Sequence, residues 1–473
     1  MASWRPLLAG TDAVPVWQAI AEISAALRPP PEEGEEASPS VAAGAAGQAL
    51  FFAYLALHRA ELARSASPAG PPGADLLAAA EESVGLLLDR ACDALAAVPT
   101  GADLYAGFSG VGWTVEHLQA AFLAAEDPAP SESLAEGPPP RASLPEDPQP
   151  RESFPEGPIP RESVPEDPNT EIDEAVLSVV SRSPWTSDYD LIRGLTGMGV
   201  YALERLPRPS AVACLEAVVE RLAELAETGP EGVTWFTLPE LLAPWQREVF
   251  PAGVYNLGVA HGMPAVIGLL AAACAAGVAR DRARPLLAGA VRWLLAHRLG
   301  PGSVSCFPFT VVHDAESQPA RLAWCYGDPG VAATLLAAGI AAGEPAWMEA
   351  ASEIARTAAA RPAEGSGVVD AGLCHGSAGV GHLFNRMFQA TGDPVLRQAA
   401  LRWLVDTLAR REPGEGLAGW RAFTSVPSGE RRWMPDPGFL EGVAGIGLAL
   451  LAAVSPVEPA WDRLLMASVR SVS

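Results

Sequence analysis

Gly376-Ser377-Ala378-Gly379 introduces an apolar run with helical spacing, and the same arrangement recurs along the chain. The run at residues 380–389 ends at Thr391-Gly392-Asp393-Pro394, in which the aspartate and the proline are the residue types of a helix N-cap and a first helical position. Residues 395–408 form a second helical run. This part of the chain therefore predicts two helices joined by a short turn.

Seven copies of a pattern of two glycines three residues apart lead into apolar helical runs, if one copy with Ala265 as its second small residue is included. The copies begin at Gly44, Gly107, Gly194, Gly262, Gly327, Gly376 and Gly442. Paired glycines let the backbone turn tightly into a helix and let helices approach one another closely. Because a helical hairpin cannot bury its apolar face alone, we expect an all-α fold of seven αα-hairpins that pack on one another.

The chain of 473 residues is long enough for several domains, but the recurrence favours a single domain over residues 1–473. The segment from Asp127 to Pro168 differs, with 13 prolines, ten acidic residues and three basic residues. Such a composition cannot bury enough surface to offset the entropy of ordering it. We therefore predict a disordered insertion between the second and third repeats, and a docking role for it stays an alternative to a solvated expansion.

The net charge of −24 opposes binding to phosphate backbones, so a nucleic-acid partner is not expected. The first residues lack the basic, apolar and cleavage regions of a signal peptide. The longest weakly apolar stretch, residues 263–279, is shorter than the ~20 residues of a membrane span. The six cysteines are scattered rather than clustered. We expect a cytoplasmic protein that does not span a membrane.

Cys325, Cys374 and His375 stand at two of the glycine-paired turns, and the turns of packed repeats lie on one face. Zinc prefers thiolate and imidazole ligands, and three protein ligands leave the fourth tetrahedral position open, as in catalytic sites. We therefore predict one catalytic zinc ion, with buried thiols and a surface histidine as the alternative. Three other cysteines lie in apolar helical runs and are expected to be ordinary buried thiols, namely Cys92, Cys214 and Cys274.

Three stretches together resemble the signature of the lanthionine synthetase C-like (LanC-like) cyclases. They are Gly258-Val-Ala-His261-Gly, Cys325-Tyr-Gly-Asp-Pro-Gly330 and Cys374-His-Gly376. The resemblance covers nearly the whole chain apart from the proline-rich segment. It implies an α/α toroid, zinc ligands at Cys325, Cys374 and His375, and acid/base residues at His261 and Asp190. It also implies active-site positions at Arg321 and Tyr326.

The implied reaction is thioether formation in a dehydrated precursor peptide, with a lanthipeptide dehydratase as an expected partner. A thiolate adds to dehydroalanine or dehydrobutyrine; Arg321 would stabilise the resulting enolate and His261, oriented by Asp190, would supply the proton. Two alternatives stay open. The same site could add glutathione to dehydroamino acids, or the toroid could bind zinc and serve only as a scaffold.

Overall fold

The computed structural model describes residues 4–29, 38–64, 74–126, 167–312, 316–425 and 430–469. The described helices are α1 Val14–Leu27, α2 Ala45–Arg64, α3 Ala74–Ala97, α4 Phe108–Glu126, α5 Thr170–Val180, α6 Leu195–Arg205, α7 Pro209–Leu225, α8 Pro244–Val249, α9 Met263–Ala276, α10 Arg280–Ala296, α11 Asp328–Ala342, α12 Pro345–Ala360, α13 Ser377–Thr391, α14 Pro394–Ala409 and α15 Val443–Val454. Three short 3-10 turns lie at Gly10–Ala13, Pro239–Leu241 and Ala460–Arg463.

The described strands are short and lie in the connections between helices. They are β1 Glu227–Gly229, β2 Gly232–Thr234, β3 Phe236–Thr237, β4 Val254–Asn256, β5 Thr310–Val311, β6 Ala422–Ser425 and β7 Arg431–Met434. They form a β1–β2 hairpin, a β3–β4–β5 sheet and a β6–β7 hairpin, and all the pairings are antiparallel. The fold is therefore all-α, as predicted, with small sheets added between repeats.

Seven of the described helices form a closed inner ring, in which each contacts the next. Their order around the ring is α2, α4, α6, α9, α11, α13 and α15, and α15 returns to contact α2. Each begins at the residue directly after the first glycine of one recurring pattern. The predicted toroid of seven repeats is thereby confirmed, and the seven turns share one face of the ring.

The outer layer of the toroid is built from the second helix of each hairpin. Helices α3, α7, α10, α12 and α14 pack on the inner helix that precedes them, and α5 contacts both α4 and α7. The last inner helix, α15, is followed by a 3-10 turn rather than by an outer helix. Its outer neighbour is α1, so the seventh hairpin joins the first and the last of the described α-helices. The expectation that a second helix follows every copy is wrong for this repeat.

Glycine is required at these turns because the chain doubles back on itself. A Cβ atom at Gly379 would lie 1.8 Å from the carbonyl oxygen of Leu373, and one at Gly376 would lie 2.2 Å from the amide nitrogen of Gly372. No side chain fits at such distances without moving the backbone. The glycine-paired turns are thus sterically defined, and their spacing reflects this local geometry.

Main-chain hydrogen bonds join the turns of successive repeats. The amide of Leu191 donates to Ala260 O (3.2 Å), and the amide of Ala260 donates to Cys325 O (3.3 Å). The amide of Cys325 donates in turn to Cys374 O (3.2 Å), and that of Cys374 to Leu440 O (2.8 Å). Residues far apart in sequence are held side by side through these bonds.

The C-terminal segment 460–469 packs within the ring beneath these turns. Trp461 is 1% exposed and contacts Phe439 and His382 through its ring. Backbone carbonyls of the segment accept hydrogen bonds from Tyr105 Oη (2.8 Å, at Leu464) and Trp324 Nε1 (2.7 Å, at Leu465). Because Trp324 precedes Cys325, this segment supports the turn that carries the first predicted metal ligand.

The predicted insertion at residues 127–168 lies outside the described residues as far as residue 166. Its last two residues belong to the toroid, since Asp167 Oδ2 lies 2.6 Å from Arg205 Nη2 and 3.0 Å from Arg208 Nε. Arg205 is fully buried, and a buried charge needs a partner of opposite charge held in place beside it. Asp167 therefore packs against the toroid, unlike the solvated loop that was predicted for it. A membrane crossing would need a longer and more apolar helix than any in the described part of the chain.

Candidate metal centre and active site

Three potential metal ligands converge at the turns of the fifth and sixth repeats. Cys325 Sγ, Cys374 Sγ and a ring nitrogen of His375 all lie within 4.8 Å of one another. Cys325 directly precedes the turn into α11, and Cys374 and His375 directly precede the turn into α13. Since the amide of Cys325 is bonded to Cys374 O, the two ligand-bearing segments are fixed relative to each other.

The surroundings of His375 suit a metal-bound imidazole. The residue is 6% exposed, and neither ring nitrogen has a hydrogen-bond partner among the described residues. Asp370 Oδ2 lies 3.6 Å from Nε2 and Glu441 Oε1 lies 3.9 Å from Nδ1. A buried imidazole without a partner is costly unless something binds it. A metal at one nitrogen and a carboxylate at the other would satisfy both.

The two thiols differ in their tendency to ionise. The pKa of Cys325 is well below its ordinary value, because the Cys374 thiol donates a hydrogen bond to it and His375 and Arg321 lie close by. Arg321 Nη2 lies 3.5 Å from Cys325 Sγ. The Cys374 pKa is raised because its thiol is the donor in this bond and is buried. The site thus favours a thiolate at Cys325, the form that binds metals, and a protonated thiol at Cys374.

His261 and Asp190 form a hydrogen-bonded pair beside the sulfur cluster. His261 Nδ1 lies 2.5 Å from Asp190 Oδ2, and the His261 side chain keeps 32% of its surface exposed. Burial alone would lower the pKa of His261, but the charge and hydrogen bond of Asp190 outweigh it and the net shift is upward. Because the Asp190 carboxylate accepts a hydrogen bond from Nδ1–H of His261, Nε2 is the nitrogen left to exchange a proton with a bound molecule.

Asp190 also holds its own turn. Its Oδ1 accepts a hydrogen bond from the amide of Arg193 (2.7 Å). Asp103, at the matching position of the second repeat, makes the same bond to the amide of Ala106 (2.7 Å). One carboxylate oxygen of Asp190 therefore makes the turn hydrogen bond found in both repeats, and the other oxygen accepts the hydrogen bond from His261.

Tyr326 links the sulfur cluster to the histidine–carboxylate pair, because it follows Cys325 in the chain and its ring contacts His261. Its ring stacks on His261 with 6.1 Å between centroids, and its hydroxyl is 3.1 Å from Asn256 Nδ2. Burial raises the pKa of Tyr326, so the phenol stays protonated at neutral pH. The structure thus places all the residues singled out in the sequence in one region of the ring face. It adds three side chains that were not predicted: Asn256, Asp370 and Glu441.

The remaining cysteines lie away from this region, with one difference from expectation. Cys214 is buried and Cys274 is half-buried, as their apolar runs suggest, but Cys92 is exposed on α3. The prediction that Cys92 is a buried thiol, which was made from the apolar pattern around it, is therefore wrong. Among the unpredicted residues, Asn256 had a signal in the sequence, since it opens the stretch that ends at His261.

The fold and the cluster define a helical toroid with a Cys2His group that could hold a metal ion, on the face formed by its repeat turns. The profile of the lanthionine synthetase C-like protein family matches residues 165–466. The chain therefore belongs to the lanthionine synthetase C-like family.

Two individual proteins resemble the chain. The nisin biosynthesis protein NisC of Lactococcus lactis subsp. lactis is 26% identical over 203 residues, which are 41% of this chain and 47% of NisC. The chain thus matches about half the length of this curated relative. A solved structure of nisin cyclase superposes with a TM-score of 0.64, covers 96% of both chains and is 17% identical. This second comparison supports the toroid fold.

Proposed function

We propose that this protein is a zinc-dependent lanthipeptide cyclase, which adds cysteine thiols of a dehydrated precursor peptide to dehydroalanine or dehydrobutyrine. The observation that carries the proposal is the presence of a Cys2His group and a histidine–carboxylate pair on the same face. Membership of the family and the similarity to a nisin biosynthesis protein support it. The products would be lanthionine or methyllanthionine rings.

Cys325, Cys374 and His375 would hold the zinc ion. Two sulfurs and one imidazole nitrogen are donors that zinc prefers, and the unpartnered nitrogens of His375 are consistent with a ligand there. When bound, zinc would lower the pKa of a substrate thiol and so supply a thiolate nucleophile at neutral pH. Arg321, beside Cys325 Sγ, would balance the negative charge on this sulfur in addition to its predicted role of stabilising the enolate.

Addition of the thiolate forms the C–S bond and moves the alkene electrons toward the neighbouring carbonyl oxygen. The negative charge that develops there requires a donor. The Tyr326 hydroxyl, which is protonated and stacked beside His261, is such a donor. His261 would then deliver a proton from Nε2 to the α-carbon. The thiol proton is lost and one proton is gained, so the product has the mass of the substrate.

The raised pKa of His261 suits this role, because it increases the fraction of protonated imidazole near neutral pH. Asp190 supports the role in two ways. It fixes the ring orientation through Nδ1, and its charge stabilises the protonated form. The pair thus resembles a general acid with its orienting carboxylate.

The deciding experiment first identifies a Ser/Thr/Cys-rich precursor among the genes that neighbour this one, and then uses that peptide in dehydrated form. We expect the zinc-loaded enzyme to remove free thiols from the peptide while the mass stays unchanged. Thiol labelling followed by mass spectrometry measures both quantities. A dehydrated peptide without cysteine, offered together with glutathione, is the control and should react slowly.

The other two functions predict different products. Glutathione transfer would add the mass of one glutathione per dehydro residue to the control peptide. A scaffold would give neither product, although zinc is bound and the protein is folded. Failure to cyclise the neighbouring precursor, with zinc measured in place, would overturn the proposal.

A further inference from the structure

Asn256 has a role that the proposed reaction does not yet use. It ends strand β4, is 4% exposed, and stands two residues before Gly258 in the turn of the fourth repeat. Its Oδ1 accepts a hydrogen bond from the amide of Gly258 (2.9 Å), and its Nδ2 donates to Tyr326 Oη (3.1 Å). The side chain therefore joins the turn backbone to an active-site hydroxyl.

The first of these bonds is a structural feature of the repeats. At the matching positions of the sixth and seventh repeats, Asp370 Oδ1 accepts from the amide of Gly372 (3.3 Å) and Asp436 Oδ1 from that of Gly438 (2.6 Å). An aspartate thus satisfies the same turn in two other repeats. The turn needs a side-chain oxygen at this position, and it does not need an amide.

The amide group of Asn256 is oriented by its neighbours. A backbone N–H can only donate, so the bond from Gly258 identifies the oxygen end and directs the NH2 group to Tyr326. The tyrosine oxygen accepts this bond, and its single hydrogen is free to point elsewhere. Gly258 packs closely against the same ring, since a Cβ there would lie 2.6 Å from Tyr326 Cδ1. The backbone therefore holds the arrangement in place.

We propose that Asn256 is a positioning residue that makes the Tyr326 hydroxyl a hydrogen-bond donor toward the carbonyl oxygen of the bound dehydro residue. The inference rests on the proposed function. Because the Tyr326 oxygen accepts a hydrogen bond from Asn256 Nδ2, the hydroxyl hydrogen of Tyr326 points away from Asn256. An aspartate at this position would accept that hydrogen and remove the donor from the reaction.

The test compares Asn256→Asp, Tyr326→Phe and the double variant. The aspartate keeps the bond to Gly258, as in the sixth and seventh repeats, and reverses only the bond to Tyr326. We expect each single variant to lower kcat for precursor cyclisation by about 10²–10³-fold, the usual effect of losing one such donor. KM and zinc content should change little. The double variant should be no slower than the slower single variant.

Asn385→Asp is the matched control, because Asn385 is 2% exposed on α13 and would also bury a new carboxylate. It should leave kcat close to that of the wild type. If the effects of Asn256→Asp and Tyr326→Phe multiply instead, Asn256 acts independently of the hydroxyl and the inference is wrong. Equal loss of activity in Asn385→Asp would overturn it as well.

A second measurement separates this inference from the proposed function. The chain has only six tyrosines, so selective 13Cζ labelling gives few resonances, and Tyr326→Phe identifies the relevant one. The Tyr326 signal should move in Asn256→Asp, because the hydroxyl changes from acceptor to donor toward residue 256, and should stay in place in Asn385→Asp. An unmoved signal would refute the hydroxyl orientation. A moved signal without cyclisation by the wild type would refute the function alone.

Discussion

At the scale of single residues, the metal prediction depends on two cysteines from adjacent repeats. Purified protein should contain about one zinc ion per chain, and Cys325→Ala or Cys374→Ala should lose most of it, since two ligands rarely hold zinc tightly. Metal analysis by mass spectrometry measures the content. Cys306→Ala is the control, because this half-buried cysteine is not among the three clustered ligands. Full zinc in both ligand variants would disprove the site.

The His261–Asp190 pair gives a prediction about rate and pH. His261→Asn should keep its zinc and lose about two to four orders of magnitude in kcat, the usual value of a positioned acid. The wild-type rate should fall as pH rises through the raised pKa of His261, because the neutral ring cannot donate. Asp190→Asn removes the charge that raises this pKa, so the fall should occur at lower pH.

Zinc analysis alongside the pH profiles completes this experiment. His297→Asn, at the end of α10, is the control and should keep both rate and metal. Loss of zinc in His261→Asn would make His261 a ligand rather than an acid. An unchanged alkaline limb in Asp190→Asn would show that the carboxylate does not set the ionisation of its partner.

The ligand set could be proposed from the sequence because its residues lie in short motifs at recurring turns, and the acid/base pair was implied by the family resemblance of such motifs. The role of Asn256 could not, because it depends on which end of an amide faces Tyr326. This direction follows from a bond to the turn backbone and from a contact between two repeats. Such information exists only in the folded chain.

At the scale of elements, the glycine-paired turns position the site, and Gly379→Ala tests this. Its Cβ would collide with Leu373 O, so we expect a loss of about 1–3 kcal/mol in the free energy of unfolding, with weaker zinc binding at Cys374. Gly85→Ala, in the middle of α3 with nothing within 4 Å, should instead gain about 0.5–1 kcal/mol. Chemical denaturation and chelator competition provide the measurements. Equal effects of the two changes would contradict the steric argument.

The connection between α4 and α5 gives another prediction at this scale. Replacing residues 127–166 by a short flexible linker should change stability little, because closure entropy grows slowly with loop length. Adding Asp167→Ala should cost on the order of 1 kcal/mol, reduced by the 30% exposure of this carboxylate. The Asp167 pKa is lowered by the hydrogen bond from Arg205. The cost should therefore be full at neutral pH and vanish as pH falls through this lowered pKa.

Thermal unfolding at several pH values tests both parts. A large loss of stability on removing 127–166 alone would show that the segment packs on the toroid. The sequence could not locate the end of this segment, because Asp167 and Pro168 continue its composition. What separates them is the tertiary contact with a buried arginine, which no local pattern records.

At the scale of the whole molecule, the C-terminal segment completes the core of the ring. Asp462 is fully buried and pairs with Arg386 (2.7 Å) and His382 (2.8 Å). Asp462→Ala leaves the arginine, which is 2% exposed, without its main partner, and should cost about 3–5 kcal/mol. Asp281→Ala, on the exposed surface of α10, is the control and should cost little. A small loss in Asp462→Ala would show that the segment is dispensable.

The seven packed hairpins could be predicted from the recurrence of the turns, and the ring was implied by the family resemblance, but the helix that completes the seventh hairpin could not be predicted. In the described residues after Gly442, α15 is followed only by a 3-10 turn, and the pattern alone gives no outer partner for α15. The partner is α1, more than four hundred residues earlier in the chain. Periodicity identifies neighbours in sequence, whereas this pairing arises because an inner ring of seven helices brings its first and last members together.

Because α1 precedes its partner α15 by more than four hundred residues, α1 stays without its native neighbour while the intervening chain is translated. Its apolar face, with Val16, Ile20 and Ile23 fully buried in the finished ring, is exposed to solvent and to chaperones during this time. The bond from Trp4 Nε1 to Ala452 O spans 448 residues and can form only after synthesis of α15. Synthesis of α15, rather than the folding of any earlier hairpin, therefore determines when the ring can close.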